Sequence, residues 1–322
     1  MSIVITGSLA FDYLMSFPGY FKEHILAESI DVLSVSFLVD VMRKQRGGCA
    51  SNIAYSLALL GERPVIMATA GQDFCDYREW LDAHNIDTCG ILELPDEFTA
   101  SFFVSTDLAN NQIASFYAGA MSKAHLLSFR DLKCDPIQVA IISPNDPRAM
   151  GKYAAECKAL NIPYIYDPSQ QIIRLSGEEL VEGARGSRML IVNEYEFCML
   201  KNKTGLDDDE VRRLTDVLII TRGEGGSIIF AGEECIEIPA APPEQARDPT
   251  GVGDAYRAGI IKGLVHGVSW PTTGRMASLA ATYAIEHDGT QNHRYTLEEF
   301  LARYRRVFGP SEELDRLLLA GA

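Results

Sequence analysis

The sequence predicts an α/β fold, with helices on both faces of a mainly parallel sheet and a smaller β element set apart from it. Three observations predict this. From about Val139, almost wholly apolar runs (Val139–Ser143, Tyr164–Asp167, Met189–Val192, Val217–Thr221) alternate with helical patterns over Arg148–Leu160, near Glu178–Ala184 and over Glu194–Leu200. Strands that are apolar on both faces need cover on both, and crossover helices supply it. Two segments break the alternation, Tyr13–Arg46 and Thr99–Met121, which are richer in aromatic and polar residues. Finally, 322 residues that are 47% hydrophobic suffice for one large α/β domain with a small appendage.

In chain order, Ile3–Thr6 reads as a short buried strand ending in Gly7-Ser8. Gly47-Gly48 introduces a helix over Asn52–Leu60, where Ile53, Leu57 and Leu60 share one face and Gly61 closes the element. Thr99–Thr106 and Ile113–Tyr117 read as two strands of a hairpin turning through Asp107–Asn111. Ligands of parallel sheets bind beyond the carboxyl ends of the strands. The loops at those ends are Gly7–Asp12, Ser143–Asp146, Asp167–Gln171, Asn193–Glu196 and Thr221–Gly226.

The formal charge of −15 and the pI near 4.9 argue against nucleic acid or an anionic membrane as partner. Seven cysteines without a C-x-x-C pair fit reduced thiols in a cytoplasm. No apolar run reaches membrane-spanning length and no basic leader precedes the first strand, so a soluble, cytoplasmic protein is expected. There is no G-x-x-x-x-G-K-[ST], and Ile228 stands where the dinucleotide fingerprint beginning at Gly223 needs its third glycine. The H-R-D and D-F-G signatures of protein kinases are missing too.

The most telling run is Asp248-Pro249-Thr250-Gly251-Val252-Gly253-Asp254-Ala255-Tyr256-Arg257-Ala258-Gly259. It places two glycines and a carboxylate where a loop becomes a helix. A helix N-terminus carries unpartnered N–H groups and partial positive charge, so it suits a phosphate. Gly251 and Gly253 let backbone approach that anion, and Asp254 in the first turn is placed to take a proton from a hydroxyl attacking phosphorus. The bland alternative is an Asp that only complements the helix dipole.

This run resembles the signature D-x-x-G-A-G-D-x-F-x-x-G of the ribokinase-like (PfkB) small-molecule kinases, with Val252 for Ala and Tyr256 for Phe. The resemblance implies a ribokinase-like three-layer α/β/α domain over 1–12, 47–98 and 122–322. Residues 13–46 and 99–121 would form a discontinuous small β-sheet lid. It further implies Asp254 as catalytic base and the Gly251–Val252–Gly253 backbone as anion hole. Gly47-Gly48 with Asn52 is similar to the family's G-G-x-x-x-N, whose glycines and Asn lie against a sugar, and the matching Asp12 would grip two sugar hydroxyls. Taken alone, the first is a Gly-rich turn and the second a turn or N-cap Asp. Asn193 and Glu196 match N-x-x-E, which organises magnesium and phosphate largely through water, and the same spacing reads as a capping box. Thr221, Gly223 and Gly226 match the nucleotide loop T-x-G-x-x-G, and Arg222 reads equally as a phosphate contact or a solvated surface residue. ATP and magnesium follow as cofactors, and dependence on a monovalent cation such as K+ stays open.

Three stretches, Thr99–Asp107, Gln112–Met121 and Glu286–Gln291, are similar within the family to bacterial adenosine kinases. That similarity implies Phe102 and Phe116 as a base-stacking pair, with Met121 as a soft apolar contact. Asp12, Gly48 and Asn52 would then hold the ribose, and Ser8, Ser36 and Gln171 would add polar contacts, Gln170 competing with Gln171. Both phenylalanines are also readable as a small core beneath the lid or as a dimer surface. The expected activity is therefore ATP-dependent phosphorylation of the 5′-hydroxyl of adenosine to AMP, in purine salvage. A kinase of ribose, fructose or another nucleoside shares the fold, and a non-catalytic nucleoside sensor is the rival of another class. Phe103, Val104 and Tyr117 are expected on the lid's outer face, where they would support a twofold homodimer.

Overall fold

The computed structural model describes residues 1–25 and 34–319. Its first half runs β1 (Ser2–Thr6), β2 (Ala10–Ser16), β3 (Val41–Gly47), α1 (Cys49–Leu59), β4 (Val65–Gly71), α2 (Cys75–Ala83), β5 (Asp87–Leu94), β6 (Ala100–Thr106) and β7 (Gln112–Tyr117). There follow β8 (Ile137–Ile142), α3 (Pro147–Leu160), β9 (Tyr164–Tyr166), α4 (Gly177–Ala184), β10 (Met189–Asn193) and α5 (Glu194–Thr204). The chain ends with α6 (Asp208–Arg212), β11 (Val217–Thr221), β12 (Ser227–Ala231), β13 (Glu234–Ile238), α7 (Val252–Val265), α8 (Trp270–Ile285), α9 (Leu297–Phe308) and α10 (Glu312–Leu319).

Nine strands form one sheet in the order β13-β12-β11-β10-β9-β8-β1-β4-β5. It is parallel from β11 to β5, while β12 and β13 join antiparallel at one edge. The strand period of two sorts the apolar residues between the faces. Ile3, Ile5, Ile141, Ile165 and Ile219 enter one core with residues of α1, α2, α7, α8 and α9. Val4, Ala140, Ile142, Tyr164, Tyr166 and Leu218 enter a second core with residues of α3, α4 and α5. This gives the three expected layers. The β12–β13 hairpin is an addition to the expected strands, because Ser227–Ala231 follows β11 without a helix between them.

A separate four-stranded sheet has the order β3-β2-β6-β7. Its strands come from the two segments that break the alternation, with β2 beginning at Ala10 and β3 ending at Gly47. Residues 26–33 of the expected lid lie outside the described residues. Asp12 lies beside Phe102, and Phe102 pairs with Phe116. Phe103 takes the opposite face, stacked on Tyr13 at 4.7 Å between ring centroids. Val104 differs from expectation: two positions after Phe102, it shares that residue's face by strand period and is buried. No helix among the described residues is long and apolar enough to cross a membrane.

Candidate active site

The carboxyl ends of β1, β8, β9, β10 and β11 open into a cavity of about 650 Å³ roofed by the small sheet. Neighbouring strands there leave in opposite lateral directions from β1, so their loops part and leave a crevice. Ser8, Asp12, Gly48, Asn52, Phe102, Phe116, Met121, Gln171, Asn193, Glu196, Thr221, Gly251, Gly253 and Asp254 all line it. They come from most of the chain's length, so the fold brings the majority of the anticipated residues to one place. Gly47 lies just behind them, against the Asp12 carboxylate.

The remaining anticipated residues stand apart. Ser36 is exposed and lies outside the cavity. Val252, Gly223 and Gly226 are also absent from its wall. Arg222 turns toward Glu237 on β13, 3.9 Å away, and away from the cavity.

Asp254 sits in the first turn of α7, whose N-cap is Gly251 at φ +76° with no capping side chain. A left-handed N-cap needs glycine, and an uncapped first turn leaves donors for an anion. By contrast, α5 is closed by a full capping box: Asn193 Oδ1 accepts from the Glu196 N–H and Glu196 Oε2 accepts from the Asn193 N–H, each at 2.8 Å. The two helix starts face the same cavity with different equipment. Gly48 (φ +99°) serves a second close approach, since a Cβ there would fall 2.5 Å from the Ser8 carbonyl oxygen.

Burial acts on two of the three carboxylates that line the cavity, Asp254 and Asp12. Burial pushes the Asp254 carboxyl above its ordinary range, opposed by the nearby Arg257 charge and by Asn52, which donates from Nδ2 to Asp254 Oδ2 at 2.9 Å. Burial, aided by the Asp248 charge, raises Asp12 to about 6. Asp248 itself stays below its usual range despite burial, because Thr250 and Gly289 donate backbone N–H bonds to it at 2.9 Å.

Several wall residues were not anticipated, Cys49, Arg174, Thr250, Arg257 and Thr290 among them, while Gln170 lines the wall beside its competitor Gln171. Arg257 stands one turn after Asp254 and forms a two-pronged pair with Asp167 at the end of β9, donating from Nη2 to Oδ1 at 2.5 Å. Burial pushes Asp167 up to about 7 against the pull of that guanidinium. The i, i+3 spacing of Asp254 and Arg257 was the available signal for one partner, and the place of Asp167 at the carboxyl end of an apolar run for the other. Cys49 carries a thiol pushed up by burial and by the charges of Asp254 and Asp167.

Among the described residues no group of three or more His, Cys, Asp or Glu side chains could cage a metal. Magnesium keeps several waters and needs only one or two carboxylates. Glu196 fits that demand: on the cavity wall, its Oε1 has among the described residues no hydrogen-bond donor but the Ser169 hydroxyl at 3.2 Å, which also lies 2.8 Å from Gln170 Oε1.

A model of the pfkB family of carbohydrate kinases matches residues 24–296. A nucleoside kinase of Methanothermobacter thermautotrophicus is 30% identical, over 95% of this chain and 96% of its own. The solved structure of a Burkholderia thailandensis nucleoside kinase in complex with inosine is 38% identical, with a TM-score of 0.85 over 96% of this chain and 99% of that one. A Methanocaldococcus jannaschii nucleoside kinase structure is 27% identical, with a TM-score of 0.84 over 95% and 99% of the two chains.

Proposed function

The chain belongs to the pfkB family of carbohydrate kinases, and from that premise we propose that it transfers a phosphoryl group from ATP to the 5′-hydroxyl of a purine nucleoside, adenosine included. The observation that carries this reading is the pairing of two unlike walls in one cavity. On one side is the uncapped first turn of α7 with Asp254; on the other is the Phe102–Phe116 pair. Phe116 is 53% exposed, which is too open for a core residue and suits a ring awaiting a planar partner. A flat purine covers such a ring more fully than the smaller C–H face of a free pentose.

Phosphoryl transfer asks the protein mainly for positioning and charge stabilisation. Asp254 takes the hydroxyl proton as that oxygen attacks. Burial raises its affinity for a proton, which strengthens it as a base. The N–H groups of the first turn of α7 face the charge that develops on the transferred group. Asp12 accepts from ribose hydroxyls in two directions. Arg257, held by Asp167, keeps positive charge beside Asp254. Magnesium, when bound, would be held through Glu196 and water and would neutralise charge on the polyphosphate. Closure of the small sheet over the cavity excludes water from the reacting hydroxyl.

Adenosine is the substrate the sequence points to. The relatives' names support the wider class of nucleosides, and the Burkholderia enzyme's complex with inosine makes inosine the sharpest competitor. An ADP-release assay with ATP, magnesium and K+ tests the reading against adenosine, inosine, guanosine, cytidine, ribose and fructose. Purine nucleosides should lead in kcat/KM. Preference for a free sugar would overturn the nucleoside reading, and ATP turnover with none of them would overturn the kinase assignment of this pocket.

A further inference from the structure

Asp254 is one end of a buried hydrogen-bond chain that leaves the cavity. Asn52 donates from Nδ2 to Asp254 Oδ2 at 2.9 Å, and its Oδ1 accepts from Gln291 Nε2 at 2.9 Å. The same Gln291 nitrogen donates to Tyr77 Oη at 2.6 Å, and Gln291 Oε1 accepts from Trp80 Nε1 at 3.2 Å. Tyr77 passes its own proton on to Ser51 Oγ, 2.7 Å away. Asn52, Tyr77 and Gln291 are all buried.

We infer that Gln291, oriented by Trp80, is a positioning residue for the transfer: it fixes the Asn52 amide with its nitrogen toward Asp254. The argument is one of direction. An amide can turn over, exchanging donor and acceptor, but an indole N–H only donates and an ionised carboxylate only accepts. With Trp80 at one end, Gln291 must present Oε1 to the indole and its nitrogen to Asn52. Asn52 must then present Oδ1 to Gln291 and its nitrogen to Asp254. The two ends that cannot turn over agree on a single orientation of the two that can. The result is that Asp254 Oδ2 is bonded to Asn52, leaving Oδ1 as the oxygen for the substrate proton. With the opposite orientation, the Asn52 carbonyl would face the carboxylate and push it from its place. Trp80 is itself braced, with the Arg46 guanidinium 4.5 Å from its ring centroid.

This inference rests on Asp254 being the base, so the experiment separates the two. Steady-state kinetics with ATP and adenosine or inosine would be run on Gln291→Met, Trp80→Phe, Asn52→Leu, the double variant Asn52→Leu/Gln291→Met, and Asp254→Asn. Gln291→Met should lower kcat about 10- to 100-fold while KM for ATP stays within about twofold. Trp80→Phe keeps an aromatic ring but loses the donor together with the pyrrole half of the indole; because Gln291 and its bond to Asn52 remain, its loss should run in the same direction and be smaller. The double variant should be no slower than Asn52→Leu alone, because Gln291 acts through Asn52. If Gln291→Met does not melt cooperatively, Trp80→Phe decides: native kcat there overturns the inference. Additive losses in the double variant overturn it as well, provided Asp254→Asn is inactive. Near-native turnover by Asp254→Asn instead overturns the base assignment.

Discussion

Replacing Asp12 by Asn should make the protein more stable and a poorer enzyme at once. The carboxyl is raised from 3.8 to about 6, by burial first and by the Asp248 charge second. Holding it ionised at pH 7 therefore costs stability. At about 1.4 kcal/mol per unit the full cost is about 3 kcal/mol, and its opening onto the cavity reduces this to about 1–3 kcal/mol. The variant should melt higher by about 2–4 °C at pH 7 for a chain of this size. The sign with pH follows from the raised value. The native carboxyl becomes neutral as pH falls through about 6, so the gap should close toward pH 4. Function should move the other way: a charged acceptor of ribose hydroxyls is worth about 1.5–3 kcal/mol, so KM for the nucleoside should rise about 10- to 100-fold. Melting curves between pH 4 and 8 and steady-state kinetics at pH 7.5 check both. An unchanged nucleoside KM would refute the hydroxyl-binding role, and a lower melting point at pH 7 would refute the electrostatic account.

Asp254→Asn preserves shape and removes the base, so kcat should fall by about 10²–10⁴ with a cooperative melt retained; turnover within threefold of native sinks the assignment. Phe102→Ala and Phe116→Ala should each weaken nucleoside binding in calorimetry while leaving ATP affinity nearly unchanged, at about 1–3 kcal/mol per lost stack. Unchanged affinity in both would point to a sugar substrate. Phe103, Tyr117, Ile113 and Met42 expose apolar surface on the small sheet, which supports a dimer through that face. Light scattering should report twice the chain mass, lowered by Phe103→Asp, and a monomer at every concentration would show that the face needs no partner.

The local signals were legible and the distant partnerships were not. The glycines, carboxylate and following helix of the Asp254 run lie within one short segment, so their geometry is encoded where they stand. Each parallel strand announces itself by an apolar run because it is covered twice. Asp167 and Arg257 are 90 residues apart, and Asn52 and Gln291 are 239 apart. Nothing in the neighbourhood of Asp167 or Gln291 says what they will meet; only the strand order brings them together. Arg222 was readable in two ways for a related reason. Its place in the loop after β11 fits a phosphate contact or a solvated residue equally, and nothing in the sequence signals that β13 folds back and brings Glu237 within 3.9 Å. Val104 was misplaced by neglecting the strand period, which puts it on the face of Phe102.

The two walls of the cavity differ in how much of the molecule depends on them. α7 packs so closely on α8 that a Cβ at Gly259 would lie 2.4 Å from Ala277 Cα, and nearly all of its inner face is core. Mutations around Asp254 therefore risk the whole fold. Strand β7 is exposed along its entire length, so its side chains can change at little cost in stability. Natural variation thus has an easy path across the small sheet and a hard one along α7. Descendants of such a protein can trade one base for another while inheriting the same transfer chemistry.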